Sequence, residues 1–347
     1  MLICQSVYGT IQPFTSAGQS IIADSVRVFV WGAGLVCRQY ARIDERDGMK
    51  EQIAYIGMGI MGAPMAVNLL NGGYSVVVHT RTPQKAQPVL DRGARWADSP
   101  AEAARHADVV ITCLPDTPDV QKVLLGENGV IETARRGTVC IDMSTISPQI
   151  TQQIAAALAQ KGLVMLDAPV SGGQSGAVEA KLSIMVGGPK EAFERVRPIL
   201  ACLGRAITHC GPAGFGQLTK LANQVMVIHT IVSIAEGLAF AEQAGLDLQT
   251  TWEAACSGAA YSHSLKVLGA KILAGDMKPA FKAVLQLKDL RLVMETARQI
   301  GQPLPATALA AELLSVLPAI GRGEDGTQAL IDVIRHLRMP KESRTES

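Results

Sequence analysis

The apolar positions of this chain follow two regimes. Between about residue 52 and residue 211, short continuous apolar runs alternate with amphipathic stretches. The runs are IAYIG, YSVVVHT (Tyr74–Thr80), DVVITCLP (Asp108–Pro115), GTVCIDMSTISP (Gly137–Pro148) and GLVMLDAPVSGG (Gly162–Gly173). KLSIMVGG and AITHCG add two more, near Leu182–Gly188 and Ala206–Gly211. Unbroken apolar runs of this length predict strands covered on both faces. Strands alternating with helices predict a mostly parallel, doubly wound sheet of Rossmann type. From Phe215 onward the strand pattern vanishes. A glycine-rich turn (Gly211, Gly214, Gly216) leads into a helical pattern running to about Gly245, apolar nearly all round. TTWEAACSG, SHSLKVLGAKILAG, LQLKDLRLVMETARQIG and ALAAELLSVLPAIGRG follow as further helices, each closed by a glycine. The expected architecture is an α/β nucleotide-binding domain over 49–212 and an all-helical domain over 213–340, joined by the long helix. The polar tail from Met339 is expected to fray.

Residues 1–48 do not share the pattern. Their longest apolar run, SVRVFVWGAGLVC, contains Arg27 and is too short to span a membrane. No basic segment, apolar run and small-residue cleavage site succeed one another as in a signal peptide. Gly32 and Gly34 form a lone GxG without a third glycine. At Met49 the chain starts afresh with MKEQIAYIGMGIMG. Residues 1–48 are therefore expected to be a non-native or disordered extension. N-terminal sequencing of the endogenous protein checks this, and a mature start upstream of Met49 refutes it.

Composition narrows the field. Of 347 residues, 48% are hydrophobic, 18% charged and only 4% aromatic, so Ala, Leu, Ile and Val must build the core. The net charge of +1, with no basic stripe or aromatic platform, points away from nucleic acid. The seven cysteines (4, 37, 113, 140, 202, 210, 256) stand singly, several inside apolar runs. That usage fits reduced core thiols in a cytoplasmic protein, with no metal site.

Three stretches carry chemistry. Gly57-Met58-Gly59-Ile60-Met61-Gly62 is a GxGxxG turn between a strand and a helical pattern, the context that makes this motif specific for dinucleotides. The first glycine permits the tight turn, the second the approach of a pyrophosphate, the third helix–strand packing. After the next strand come His79, Thr80, Arg81 and Thr82, with no acid before Asp91. A cation and hydroxyls there suit a 2′-phosphate, so NADP is favoured over NAD. Finally, Lys220 and Asn223 sit early in the long helix, three apart and on one face. The helix dipole and burial both lower a lysine's pKa toward the range of a proton donor. Lys266 lies outside any motif. Lys288 and Asp289, in LQLKDL, mark the polar edge of an apolar helix.

Together these motifs resemble the β-hydroxyacid dehydrogenase family over about Glu51–Leu337. The resemblance rests on YIGMGIMGAPMAVNLL, the LP of CLPDTP, DMSTISP, DAPVSGG with the later MVGG, GFGQLTKLANQ and LQLKDL, in family order. PDTPDVQKVLLGENG, DMSTISP and KLANQ look most like the tartronate semialdehyde reductase branch. The resemblance implies that Lys220 is catalytic, that Ser171, Gly172 and Gly173 hold the substrate carboxylate, and that Asn223 orients the substrate. It further implies that Leu114, Pro115, Thr145 and Lys288 contact the cofactor, beside Arg81 and Thr82. Two departures stand out. Ala180-Lys181-Leu182 replaces the family's frequent Gly-Thr-Leu, and His79–Thr82 is more NADP-like than in that branch. The implied reaction is reduction of a small acid aldehyde, tartronate semialdehyde in that branch, with a 3-hydroxyisobutyrate dehydrogenase or a succinic semialdehyde or glyoxylate reductase as the alternatives. Separately, the long helix, apolar nearly all round, suggests a domain core or a subunit interface, and a homo-oligomer is expected. A 6-phosphogluconate-type enzyme would have a longer helical part. An imine reductase would lack the lysine, and a non-catalytic nucleotide-binding module would not need Lys220 with Asn223.

Overall fold

The structure is a computed structural model. It describes residues 50–338 and two short strands, β1 (Ile21–Ala23) and β2 (Val26–Val28), which pair antiparallel. The expectations for the rest of 1–48, for a start at Met49 and for the tail from Met339 lie outside the described residues. The chain divides into two units, Met1–Lys50 and Glu51–Ser347.

The second unit is built on a sheet of β3 (Gln52–Ile56), β4 (Ser75–His79), β5 (Arg95–Trp96), β6 (Val109–Thr112), β7 (Val139–Asp142), β8 (Val164–Asp167), β9 (Val170–Ser171), β10 (Leu182–Gly187) and β11 (Gly204–Gly211). The order is β11-β10-β8-β7-β6-β3-β4-β5, with β9 paired to β10. Pairs from β5 through β8 are parallel, as the apolar runs require. β10 and β11 are parallel to each other, yet β10 meets β8 and β9 antiparallel, a reversal not expected from the sequence. β5 was not expected either, since two residues leave no periodicity to read.

Both sheet faces are covered, and successive residues of β3 show it. Ile53 and Tyr55 enter one apolar cluster with Met65, Leu69 and Ile184. Ala54 and Ile56 enter another with Val110, Ile154 and Leu158 on the opposite face. The order reverses between β3 and β6, so the crevice beyond their carboxyl ends is where a nucleotide fits an open parallel sheet.

The long helix, Phe215–Gln243, begins directly after β11. Its start is held by Asp167, at the end of β8: the amides of Gly214 and Gln217 donate to its two carboxylate oxygens, each at 2.8 Å. A Cβ on Gly216 would stand 2.4 Å from the Met185 carbonyl oxygen, and one on Gly187 only 2.7 Å from the Gly216 nitrogen. Only glycines let helix and sheet come so close. The helix then leaves the sheet and forms the spine of a third cluster, with Ile228, Ile231 and Leu238 against Leu290, Leu314 and Ile331. It is not buried all round: Met226 and Phe240 are 64% and 74% exposed. By length and composition it could cross a membrane; in this fold it buries one face, including Gln217, Lys220 and Gln224. The other helices include Leu248–Ser257, Ala283–Ile300, Pro305–Ala319 and Leu330–His336. The expected helix after Tyr261 runs through a π turn, Leu265–Gly269, before Ala270–Leu273.

Candidate active site

Two adjoining cavities line the crevice. The first, about 460 Å³, runs along the glycine turn from Gly57 to Gly62 and the end of β4 from His79 to Thr82. Gly57 has φ +106°, and a Cβ there would stand 2.3 Å from the Cys113 carbonyl oxygen. Around a Cβ on Gly59 there is open space. The turn thus exposes backbone at the start of the helix Gly62–Asn71, the arrangement that receives a pyrophosphate. Arg81 is 78% exposed at the mouth and pairs with Asp119 at 3.0 Å. Lys85 and Lys122 line the same cavity, together with Asp119 and Glu127.

The second cavity, about 320 Å³, shares Met61, Leu114 and Pro115 with the first. One wall comes from the sheet loops: Ser144, Thr145 and the turn Ser171-Gly172-Gly173. Gly172 and Gly173 have φ +134° and +63°, the left-handed region that glycine enters without strain. Further along, Ala180 has φ +55°. A non-glycine residue in the left-handed region costs about 1 kcal/mol.

Lys220 lines the same cavity. Its ammonium donates to Gln224 Oε1 at 2.9 Å. Gln224 Nε2 donates to Asp289 Oδ2 at 2.6 Å, and Lys288 Nζ reaches Asp289 Oδ1 at 2.7 Å and the Thr145 carbonyl at 2.5 Å. Lys288 and Asp289 are therefore no exposed pair: they join the catalytic candidate to the sheet loop. Gln217 adds a second tie, donating from Nε2 to the Ser144 carbonyl at 2.9 Å and accepting from the Ile146 amide at 3.1 Å.

Burial draws the Lys220 pKa down to about 8, and the charge of Lys288 adds to the fall while Asp289 opposes it. The dipole contribution expected beside burial is small at this placement. Lys220 stands beyond the first turn of the helix, where that effect has faded.

Asn223 takes another place than expected. Its Nδ2 donates to Gln224 Oε1 at 2.9 Å, one group removed from the lysine. Gln224 lines the cavity with Lys220, and Asn223 is not among the lining residues. The signal was available, because i,i+4 positions share a helix face as well as i,i+3. Asp289 and Gln217 were missed for another reason: their polar groups are buried only because distant loops supply partners. The remaining expected residues all line one cavity or the other.

Comparison with known proteins follows the same division. Residues 52–211 match the sequence model of the NAD binding domain of 6-phosphogluconate dehydrogenase. Residues 214–334 match the model described as NAD-binding of NADP-dependent 3-hydroxyisobutyrate dehydrogenase. The 2-hydroxy-3-oxopropionate reductase of Escherichia coli (strain K12) is 39% identical over 283 residues, 82% of this chain and 97% of that one. The probable 3-hydroxyisobutyrate dehydrogenase-like 1, mitochondrial, of Arabidopsis thaliana is 40% identical, over 82% of this chain and 86% of that one. Among solved structures, Mycobacterium tuberculosis 3-hydroxyisobutyrate dehydrogenase with L-serine superposes with a TM-score of 0.76. It is 33% identical, covering 83% of this chain and 100% of that one.

Proposed function

The chain belongs to the β-hydroxyacid dehydrogenase family of NAD(P)-dependent oxidoreductases, and from that premise we propose that it reduces tartronate semialdehyde to glycerate with NADPH. The observation that carries a reductase reading is the buried Lys220, its pKa drawn down to about 8, lining one cavity with the Ser171–Gly173 turn. The turn and the Ser171 hydroxyl bind the carboxylate. Lys220 hydrogen-bonds the aldehyde oxygen and donates a proton as negative charge grows there. Gln224 fixes the ammonium, and Asp289 with Lys288 fixes Gln224. A nicotinamide dinucleotide bound along the glycine turn supplies the hydride. Support for tartronate semialdehyde is the likeness of the DMSTISP and KLANQ stretches and the E. coli relative. One observation favours a second reading, a 3-hydroxyisobutyrate dehydrogenase. The cavity's far wall, Val227, Ile231, Val267, Leu268 and Phe281, is apolar and would suit a methyl group better than a hydroxyl.

The test is a matrix of NADPH and NADH against tartronate, methylmalonate and succinic semialdehydes. The proposal expects the highest kcat/KM with tartronate semialdehyde and NADPH. A preference for methylmalonate semialdehyde transfers the enzyme to the second reading, and no turnover with any aldehyde rejects both. In the same assay Arg81→Ala is expected to raise KM for NADPH about tenfold or more, the worth of a charge-assisted hydrogen bond. KM for NADH should barely move, and an equal effect on both cofactors would sink the preference for NADP.

We further propose a homo-oligomer. Met226 and Phe240 lie about four turns apart on one exposed stripe of the long helix. Sedimentation velocity that shows a monomer at micromolar concentration would reject it.

A further inference from the structure

Asp142, at the end of β7, has no role in the mechanism above, yet it lies under both loops that line the nicotinamide end of the crevice. Its carboxylate is 1% exposed. One oxygen, Oδ1, accepts from Thr112 Oγ1 at 2.7 Å, from Ser144 Oγ at 2.6 Å and from the Ser144 amide at 3.2 Å. Ser144 Oγ in turn accepts from the Leu114 amide at 2.8 Å. A relay therefore runs from Asp142 through Ser144 to Leu114. It joins the loop after β7 to the loop after β6, and Leu114 and Ser144 both line the second cavity. The other carboxylate oxygen is buried without a partner, so the side chain spends its bonds on this one task.

An acid is not a comfortable choice for this place. Burial raises the Asp142 pKa to about 6 against the three hydrogen bonds, with the nearby Asp167 adding to the rise. Tyr55 and Cys113 also feel Asp142, both buried and both pushed upward by burial first, and the charge of Lys288 acts on Cys113 in the opposite direction. A purely structural position in an apolar sheet would be served at lower cost by an aliphatic residue. What an aliphatic residue lacks is an acceptor for a hydroxyl that must point its own lone pair at Leu114. A serine hydroxyl has one proton; giving it to Asp142 leaves its oxygen free to accept the amide.

We propose that Asp142 is a positioning residue for the nicotinamide cofactor, acting through Ser144 on the Leu114-Pro115 loop. The inference rests on the reading that a nicotinamide dinucleotide binds this crevice. The role belongs to the acceptor oxygen rather than to the charge, since an amide oxygen could accept the same three bonds.

The experiment is fluorescence titration of the full chain with NADPH and NADH, alongside thermal unfolding, for wild type, S144A, D142A, D142N and the D142A/S144A pair. S144A and D142A are each expected to weaken nucleotide binding five- to tenfold, the effect of one buried hydrogen bond. The pair should be no weaker than either alone, because both break the same relay. D142N should bind within about threefold of wild type, rescuing D142A. Effects of S144A and D142A that multiply overturn the relay, as does binding that stays at wild-type strength in S144A. S144A keeps the test standing even if D142A does not fold. A wild-type chain that binds neither nucleotide overturns the functional reading and this one with it, and is distinguishable from a failure of the relay alone.

Discussion

Replacing Lys220 by alanine is expected to lower kcat by about 10²–10⁴, the worth of a positioned general acid, while nucleotide affinity stays close to wild type. Lys220 lines the second cavity and not the first, so its loss removes the proton donor without touching the pyrophosphate turn. The pH dependence carries a sign. In the reducing direction the lysine must hold its proton, and burial has brought its pKa to about 8. Reduction should therefore fall as pH rises through about 8, and oxidation of the hydroxyacid, which needs the free amine, should rise over the same interval. Steady-state rates in both directions from pH 6.5 to 9.5 read this directly. A Lys220→Ala enzyme with most of its activity, or two profiles with the same slope, would exclude the role. Lys266, exposed and absent from both cavities, is the control whose change to alanine should do little.

Asp289→Ala is expected to cost about 3 kcal/mol of stability, because it leaves Lys288 without its buried carboxylate partner and Gln224 without its acceptor. Asp289 is 1% exposed and meets Lys288 at 2.7 Å and Gln224 at 2.6 Å. The second consequence is functional. The field of Asp289 is what holds the Lys220 pKa up against burial. Without it that pKa falls further, and the alkaline limb of reduction should move to lower pH. Urea unfolding measures the first effect and the pH profile the second. A stability loss with an unmoved alkaline limb would mean that Asp289 supports the fold but does not tune the lysine.

The sequence showed the strands of the sheet interior plainly, because strands buried on both faces are unbroken apolar runs. It showed the glycine turn for a related reason. A positive φ at Gly57 and backbone contact at Gly62 admit no other residue comfortably, so the chemistry is written in residue type. Lys220 was found from its motif and its place early in a helix. The groups around it were not. Gln224 and Asn223 are adjacent, and only the packed helix decides which of the two amides faces the cavity. Asp289 read only as the polar edge of an apolar helix. Its burial depends on Gln224 and Lys288 arriving from outside its own turn, which local periodicity does not record. Asp142 ended an apolar strand and gave no signal of its own. The reversal of β10 and β11 was equally hidden, since a strand's direction leaves no mark on its composition.

The seam at Asp167 has a consequence for recombining such enzymes. The sequence divides most visibly at Pro212, between strands and helices, and a chimaera would naturally be cut there. Yet the start of the long helix is fastened by a carboxylate from β8 and seated on a glycine of β10. A donor helical half joined at Pro212 would bring its lysine in on a host sheet shaped for another helix. The crossover belongs upstream of Asp167, so that the acid, Gly187 and Gly216 travel together as one cassette with Lys220.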